Sequence, residues 1–517
     1  MTAKVSSIPQ ELQELPFHTN SAVQPGKINF ARLTAQVNGK LKTIDITGAI
    51  SEIYYYESIL SNTYSATIML VDSGYVAPPG NKKDESDSLK TLDGLQSTSG
   101  IINEMQITGG ERVDFEIQDE NLFTGKQKIT MAGTTQMYIN RVRDLTNQGL
   151  KDVYALDLVP PEFISNELTR VTGRYGGKAE DNVESIIKTY LDNRGGIFTD
   201  KTLYKYNFIG NNKKPLHVCT WLAAKSSPDV SSNDKKGQSN DGNVAGFFFY
   251  QTRDGFHFKS IDGFLSDSTT YFGQSKTGET FLPPPKKRIV RREFIYNNTG
   301  KAAVKRTTPG DNFNDSPNIL AYTVKKAVDV SKELAMGTYN NVTTFFDFYS
   351  MTYRHREYKV NPDKLNSFGT MNLPERQVMA SPSRYMTRIL DVGTLPSGVG
   401  NAASLAQWKA DKESQNFKAD KIMAQSLMRY NQLFSLQVKI TIAGDFDLRA
   451  GDVVDCRFMD LNLNKEKNQE LSGVYLIANI CHRLTANDTF TSIDLVRDST
   501  KFEKLTEEEI IKITETN

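Results

Sequence analysis

The sequence predicts a mainly β fold with α+β parts. Leu436, Val438, Ile440 and Ile442 alternate at the head of residues 434–498, and short apolar runs between Gly-Asp pairs follow them. Residues 28–75 and 101–160 show the same two-residue period, which marks half-buried strands. Between these blocks the period changes. Val183, Ile186, Ile187, Tyr190 and Leu191 recur at i, i+3, i+4, i+7 and i+8, one apolar face of a helix.

Length and composition bound the possibilities. A chain of 517 residues has room for several domains at roughly 100–200 residues each. Lys and Arg number 62 against 61 Asp and Glu, net +1, which argues against a dedicated nucleic-acid binder with its basic excess. Aromatics make up 10% of the chain, with 27 Phe and 22 Tyr, as suits a β-rich globular protein rather than a disordered one. Cys219, Cys456 and Cys481 are far apart and show neither a disulfide framework nor zinc spacing, so folding in a reducing compartment is expected. Met1 to Pro16 lacks the apolar core of a signal peptide. No apolar run approaches the roughly 18 residues of a membrane helix. Synthesis and folding in a cytosol, with no membrane partner, are the expectation.

In the first block Leu41, Thr43 and Asp45 alternate with Lys42, Ile44 and Ile46. Tyr64, Ala66, Ile68 and Leu70 share a face, as do Val113, Phe115 and Ile117. The polar stretch Pro78 to Gly100 reads as a long exposed loop. The helix of Val183 to Leu191 is expected to end at Gly195-Gly196. A second helix is expected to start at Pro215, the favoured first helical position, and to bury Val218, Trp221 and Leu222. Asp229 to Val244 reads as a polar loop. Phe247 to Arg253 and Phe256 to Ile261 flank Asp254-Gly255, which predicts a hairpin with positive φ at both turn residues. Its aromatics on both faces, Phe247 to Tyr250, imply that neither face is fully wet. Strand character returns at 286–296. Strands are scattered around Tyr339–Tyr353. A helical pattern over 402–434 is polar from Lys409 to Lys421 and then offers Met423, Leu427, Tyr430 and Phe434 as a packing face. Thr506 and Glu509 form a capping box ahead of Ile510, Ile511 and Ile513, a short C-terminal helix.

The residues give no catalytic signature. Nucleophile elbows, Walker loops, dinucleotide fingerprints and zincin helices are missing from the sequence. Gly173 to Lys178 has the wrong spacing for a phosphate loop, and no Ser or Thr follows Lys178; it reads as a plain loop before a helix at 181. Of the histidines His18, His217, His257, His355 and His482, no two stand at i, i+4, so a metal site is not expected. His217 and Cys219 fall on a helix, where i and i+2 point apart. His482 is expected at a strand end, satisfied by a backbone carbonyl. Glu111, Asp114, Glu116, Asp119 and Glu120 could in principle supply the carboxylate pair of a glycoside hydrolase, but Asp114 and Glu116 read as the solvated face of a half-buried strand. The basic run Lys286 to Arg292 follows Pro283 to Pro285. It reads as a charged edge strand, or else as a basic surface toward an acidic neighbour or passing nucleic acid. No aromatic interleaving supports base stacking. No catalytic, cofactor-binding or metal residue is therefore assigned, and no enzyme activity is expected.

Three blocks carry a resemblance. The first comprises Tyr56-Glu57-Ser58, Tyr64 to Ile68, Asp72 and Gly109 to Val113. The second runs from Lys214-Pro215-Leu216 through Trp221-Leu222-Ala223 to Gly246–Tyr250 and Asp254–Ile261. The third comprises Gly444-Asp445, Leu448, Gly451-Asp452-Val453, Gly473-Val474-Tyr475, His482 and Asp494 to Arg497. In this order and spacing the chain resembles the central baseplate hub proteins of T-even-type contractile-tailed phages and, more distantly, the spike-hub proteins of type VI secretion. The resemblance implies two tail-tube-like antiparallel β-barrels joined by smaller α/β domains. The first barrel would span 1–165 with an inserted loop at 76–105, an α+β domain 166–285 with a hairpin at 247–261, and the second barrel 286–500 with a long insertion at about 300–430. A helical tail would take 501–517. It further implies a homotrimer posing as a six-fold ring in the virion tail baseplate, assembled in the host cytoplasm. Such a ring would join a hexameric tail tube to a trimeric spike of tail-lysozyme type, touch other baseplate proteins, and let genomic DNA pass through a polar lumen without specific binding. A hub of a phage-derived contractile injection system, a tail-associated cell-wall hydrolase and a carbohydrate-binding tail module are the alternatives.

Overall fold

The computed structural model describes residues 26–72, 100–121, 125–148, 151–193, 195–229, 246–264, 292–296, 319–326, 329–348, 351–360, 380–390, 419–458 and 471–498. The expected loop at 78–99, most of the basic run, the polar half of the 402–434 pattern and the C-terminal capping box lie outside the described residues.

The first part of the chain is an antiparallel sheet. Its strands are β1 (Lys27–Val37), β2 (Lys40–Asp45), β3 (Ile50–Ser58) and β4 (Ser65–Asp72), then a short helix α1 (Ile101–Met105), then β5 (Arg112–Asn121), β6 (Gly125–Met131), β7 (Met137–Gln148) and β8 (Lys151–Val159). The order across the sheet is β3-β4-β8-β7-β5-β1-β2, with β6 beside β5. It curls in the manner of a barrel around its own core, with Tyr64, Ala66, Ile68 and Leu70 on one inner row and Val113, Phe115 and Ile117 on another. On β2 the buried parity falls to Ile44 while Leu41 is left exposed. β1 and β2 meet through Asn38-Gly39, both at positive φ (50° and 76°), with Val37 paired to Lys40. That two-residue Asn-Gly turn matches strand twist.

The middle part mixes helices and small sheets. It runs α2 (Pro161–Leu168), β9 (Arg174–Tyr175), α3 (Ala179–Tyr190), β10 (Gly196–Thr199), β11 (Phe208–Ile209), α4 (Pro215–Ala223), β12 (Phe247–Thr252) and β13 (Gly255–Ser260). α3 buries Val183, Ile186 and Ile187, and Leu191 after it. It stops earlier than expected because Leu191 is already extended. α4 begins at Pro215 and buries Val218 and Leu222, with Trp221 half-buried against Tyr206 and Phe208. The expected plain loop at Gly173 to Lys178 contains β9, which pairs with β11.

The hairpin at 247–261 forms, and every residue of β12 is buried. Its turn differs from expectation. Thr252 pairs with Gly255, so the connecting residues are Arg253 and Asp254, and only Gly255 has positive φ, 138°. The glycine serves a close approach instead: β10 runs parallel beside β13, and a Cβ on Gly255 would stand 2.0 Å from the Gly196 carbonyl oxygen. Such contact leaves room for glycine alone.

The last part adds β14 (Glu293–Tyr296), β15 (Ile319–Lys326), α5 (Val330–Met336), β16 (Asn340–Asp347), β17 (Thr352–Lys359), β18 (Arg384–Ile389), α6 (Ala419–Leu433), β19 (Leu436–Ala443), β20 (Val453–Phe458), β21 (Gly473–Thr485) and β22 (Thr489–Arg497). β15, β19, β22, β21, β20 and β14 form a second curled sheet. Within it only β14 and β20 run parallel, and it surrounds a separate apolar core. β15 lies within the span expected to be an insertion, yet it is a strand of this sheet. β16, β17 and β18 make a separate three-stranded sheet on which α6 packs through Met428 beside Tyr339 and Tyr358.

Candidate assembly surface

One strand fuses the two halves. β21 has 13 residues, more than a single curled sheet requires. Its first part pairs with β20, its length with β22, and its last seven residues with β3, from Asn479 opposite Ser58 to Thr485 opposite Glu52. The two sheets are therefore one continuous sheet through the β3–β21 ladder.

On the inner side of this junction, charged groups tie three parts of the chain together. Glu57 has the inward parity of Ile53 and Tyr55 on β3 and is almost fully buried. Its carboxylate accepts the Tyr55 hydroxyl at 2.8 Å and the backbone N–H groups of Arg253 and Ala450 at 3.1 Å each. The first sheet, the middle hairpin and the loop Gly444–Asp452 of the second sheet thus meet at one carboxylate. Arg449 reinforces the joint by donating to Asp254 at 3.1 Å and to the Phe446 and Asp447 carbonyls at 2.9 Å each. The same loop sends Phe446 into the first core, where its N–H donates to Gln127 Oε1 at 2.6 Å and Gln127 Nε2 donates to Asp447 at 2.9 Å. Burial pushes the Asp445 carboxyl up, against the pull of Arg292, which lies 2.9 Å away. Arg292 is the one described residue of the expected basic run, and here it holds this loop. Gly444-Asp445 and Gly451-Asp452, the Gly-Asp pairs between the apolar runs of the sequence, bracket an inter-sheet clamp.

His482 is in the middle of β21, not at a strand end. It is fully buried, with Nδ1 3.0 Å from the Thr491 hydroxyl rather than a carbonyl, and packs against Tyr55 and Phe446. His257 is sandwiched between Phe198 and Tyr250, each centroid 4.9 Å away, with Thr252 Oγ1 3.0 Å from Nε2. Burial, with Lys259 nearby, lowers its pKa to about 3. Both histidines read as packed ring groups. His217 is exposed while Cys219 two residues on is buried. Asp114 and Glu116 face away from the core. Hydrogen bonds from Lys128, Thr130 and Asn29 hold Glu116 down at about 2, the state of a carboxylate locked in surface pairing. Among the described residues no group of three or more His, Cys, Asp and Glu converges as a metal site.

The outer side of the junction is polar and spans eight strands, β7-β8-β4-β3 from one half and β21-β22-β19-β15 from the other. Its charges are largely matched internally. Arg141 and Arg143 reach Asp157 at 2.7 and 3.1 Å, Arg483 reaches Glu52 at 3.1 Å, and Lys325 reaches Asp494 at 2.7 Å. Burial alone would raise Asp157, but hydrogen bonds from Arg141, Arg143 and Thr67 hold it below the usual range. Tyr54 and Tyr56 lie parallel at 6.2 Å, and the Arg483 guanidinium stands 5.5 Å over the Tyr54 ring. A groove of about 770 Å³ runs along this face, lined by Tyr54, Tyr56, Thr441, Cys481, Arg483 and Ser492. Burial pushes the Cys481 thiol up to about 11, so it is a neutral, inert lining group.

The described residues define a class: a mainly β chain with two curled antiparallel sheets fused edge to edge and a continuous polar outer face. Comparison with known proteins gives this class a particular relative. The chain is 20% identical over 444 residues to the probable baseplate hub protein gp334 of Vibrio phage KVP40, covering 82% of this chain and 92% of the relative. The resemblance read from the sequence therefore extends along most of the chain. No protein-family model matches. Among solved structures, the chain is similar to the tail protein from Neisseria meningitidis MC58, with a TM-score of 0.44 and 10% identity over 91% of this chain and 98% of that one. It is also similar to a chain of the lidded Francisella PdpA–VgrG complex, with a TM-score of 0.42 and 8% identity over 94% of this chain and 55% of that one. Scores this low align the chains only coarsely and assign no residue a role.

Proposed function

We propose that this chain is a structural hub of a phage tail baseplate, and that three copies close into a ring of six similar curled sheets. The observation that carries the proposal is the outer face crossing both halves through the β3–β21 ladder. Each half contributes four strands to this wall, so a three-fold arrangement would repeat six related four-stranded segments around a channel. Trimeric spike and hexameric tube would then each meet their own symmetry. The internal pairing of Arg141, Arg143, Arg483 and Lys325 with carboxylates supports a wall along which DNA slides, because matched charges leave few cations to neutralise phosphates. The clamp at Glu57 and Arg449 supports a load-bearing role by holding the halves at a fixed angle. On this reading the domains are the first barrel (1–165), the α+β part (166–285), the second barrel (286–500) and the tail (501–517), and the chain works in the virion without enzyme activity. The test is reconstitution with the tube and spike proteins of the same phage. A tube–chain–spike complex that is lost when the chain is omitted is expected. Tube and spike joining without it, or release of peptidoglycan fragments by the chain abolished by one carboxylate substitution, would overturn the proposal.

A further inference from the structure

β15 and β19 are paired neighbours in the second curled sheet, as β3 and β4 are in the first. Residues 59–64 alone join β3 to β4, whereas the step from β15 to β19 takes in α5, the sheet β17-β16-β18 and α6. The chain leaves the second sheet at Lys326 and returns at Gln437, and these two residues are register partners. The intervening structure therefore stands on a two-strand stalk. Within it, α6 is fixed to the body. Leu433 lies in the second core, Tyr430 packs on Phe248, Arg429 pairs with Asp498 at 2.9 Å, and the Ser426 hydroxyl donates to the Ala224 carbonyl at 3.3 Å.

The seam between α6 and the three-stranded sheet is of another kind. By strand register Asn341, Thr343 and Phe345 of β16 share a side with Tyr358 of β17, the side on which Met428 of α6 packs. Among the described residues, the apolar contact there joins Met428 to Tyr339, Val360, Leu334 and Tyr358. Beside it the seam is polar. Thr338, Asn341, Thr343 and Gln432 are each no more than 2% exposed. Gln432 Nε2 donates to the Thr338 carbonyl at 3.3 Å and Asn341 Nδ2 to the Gly337 carbonyl at 3.2 Å. Gln432 Oε1, Asn341 Oδ1 and both threonine hydroxyls have no partner among the described residues. Buried groups of this kind weaken a closed interface, because opening returns them to water. The opposite face adds no hold, since Tyr353, Tyr385 and Ile389 lie exposed on it.

We infer that α5 and the sheet β17-β16-β18 form one unit that opens off α6 on its stalk while the two curled sheets stay closed. A small apolar contact and buried polar groups short of partners mark a low-stability cooperative unit. Its parts are tied to each other, since Arg384 of β18 donates to the Met336 carbonyl at the end of α5 at 3.1 Å. Lys326, at the head of the stalk, holds Glu333 of α5 at 3.1 Å and marks the pivot.

Thr343→Cys in the full chain tests this, with Cys481→Ser removing the half-buried native thiol. The introduced thiol faces the seam, and Cys219 and Cys456, buried in other cores, serve as internal references. Under native conditions iodoacetamide should modify the introduced thiol about 100-fold faster than either reference. Hydrogen exchange of the unsubstituted chain gives a second readout. The amides of β16, the central strand of its sheet, should exchange together and about 100-fold faster than those of β4, which lies between β3 and β8. Thr343→Val removes an unpartnered hydroxyl at nearly constant shape, and it should slow β16 exchange several-fold and leave β4 unchanged. A β16 strand as slow as β4, with the introduced thiol modified no faster than Cys456, would overturn the inference, as would faster β16 exchange in Thr343→Val.

Discussion

Gly451 stands at φ +87°, and a Cβ there would lie 2.2 Å from the Tyr250 hydroxyl oxygen. Its N–H donates to the Ile477 carbonyl at 2.9 Å, so the position cannot drift to relieve the contact without breaking that bond. A Gly451→Val substitution adds left-handed backbone strain of about 1–3 kcal/mol and overpacking of a similar size. The expected result is a loss of about 2–5 kcal/mol in urea unfolding with the clamp loosened; a wild-type midpoint would show that Tyr250 and the loop rearrange freely. The need for glycine here was legible in the sequence, but its reason was not, since Tyr250 is two hundred residues away in the chain. Glu57 was legible in principle. It falls on the inward parity set by Ile53 and Tyr55, and a carboxylate at a core position calls for donors. At Asp254-Gly255 the glycine answers to a parallel neighbour, β10, and not to a turn, whereas Asn38-Gly39 is the two-residue turn that follows the rule.

Alternation and helical spacing located most elements: the inward rows of β4 and β5, the buried face of α3 and the start of α4 all follow from local pattern. What pattern could not give is partnership. α6 shows this best. Its expected packing face included Leu427, Tyr430 and Phe434. Tyr430 does pack, edge-on to Phe248 at 5.2 Å with its hydroxyl accepting from the Phe247 N–H at 3.0 Å. Yet the buried residues are Ile422, Ser426, Met428, Arg429, Gln432 and Leu433, because α6 is wedged between two sheets and Arg429 meets Asp498 at the end of β22. A hydrophobicity pattern cannot recognise a buried arginine whose partner is distant in sequence. Removing one member of a fully buried ion pair strands the other. Arg429→Met alone and Asp498→Leu alone should each cost about 3–5 kcal/mol, whereas the double substitution should recover most of that loss. Denaturant unfolding of the three variants checks this. Additive losses in the double variant would show that the two side chains do not depend on each other.

For the molecule as a whole, the sequence supplied two β blocks, and the structure supplied the ladder between them. β3 and β21 are more than four hundred residues apart and pair over seven positions, a relation with no local signal. That ladder turns two separate curled sheets into one wall with a polar outer face, and the clamp behind it fixes their angle. The near balance of 62 basic and 61 acidic residues is reproduced on that face as matched ion pairs, so overall composition and local geometry agree. The decisive measurement is electron cryomicroscopy of the purified chain together with the spike protein of the same phage. Three copies around a three-fold axis, with the β7-to-β15 face lining a channel and the two halves alternating around it, is the expected result. A stable monomer or dimer in the presence of the spike, or a ring whose channel is lined by any other face, would contradict it.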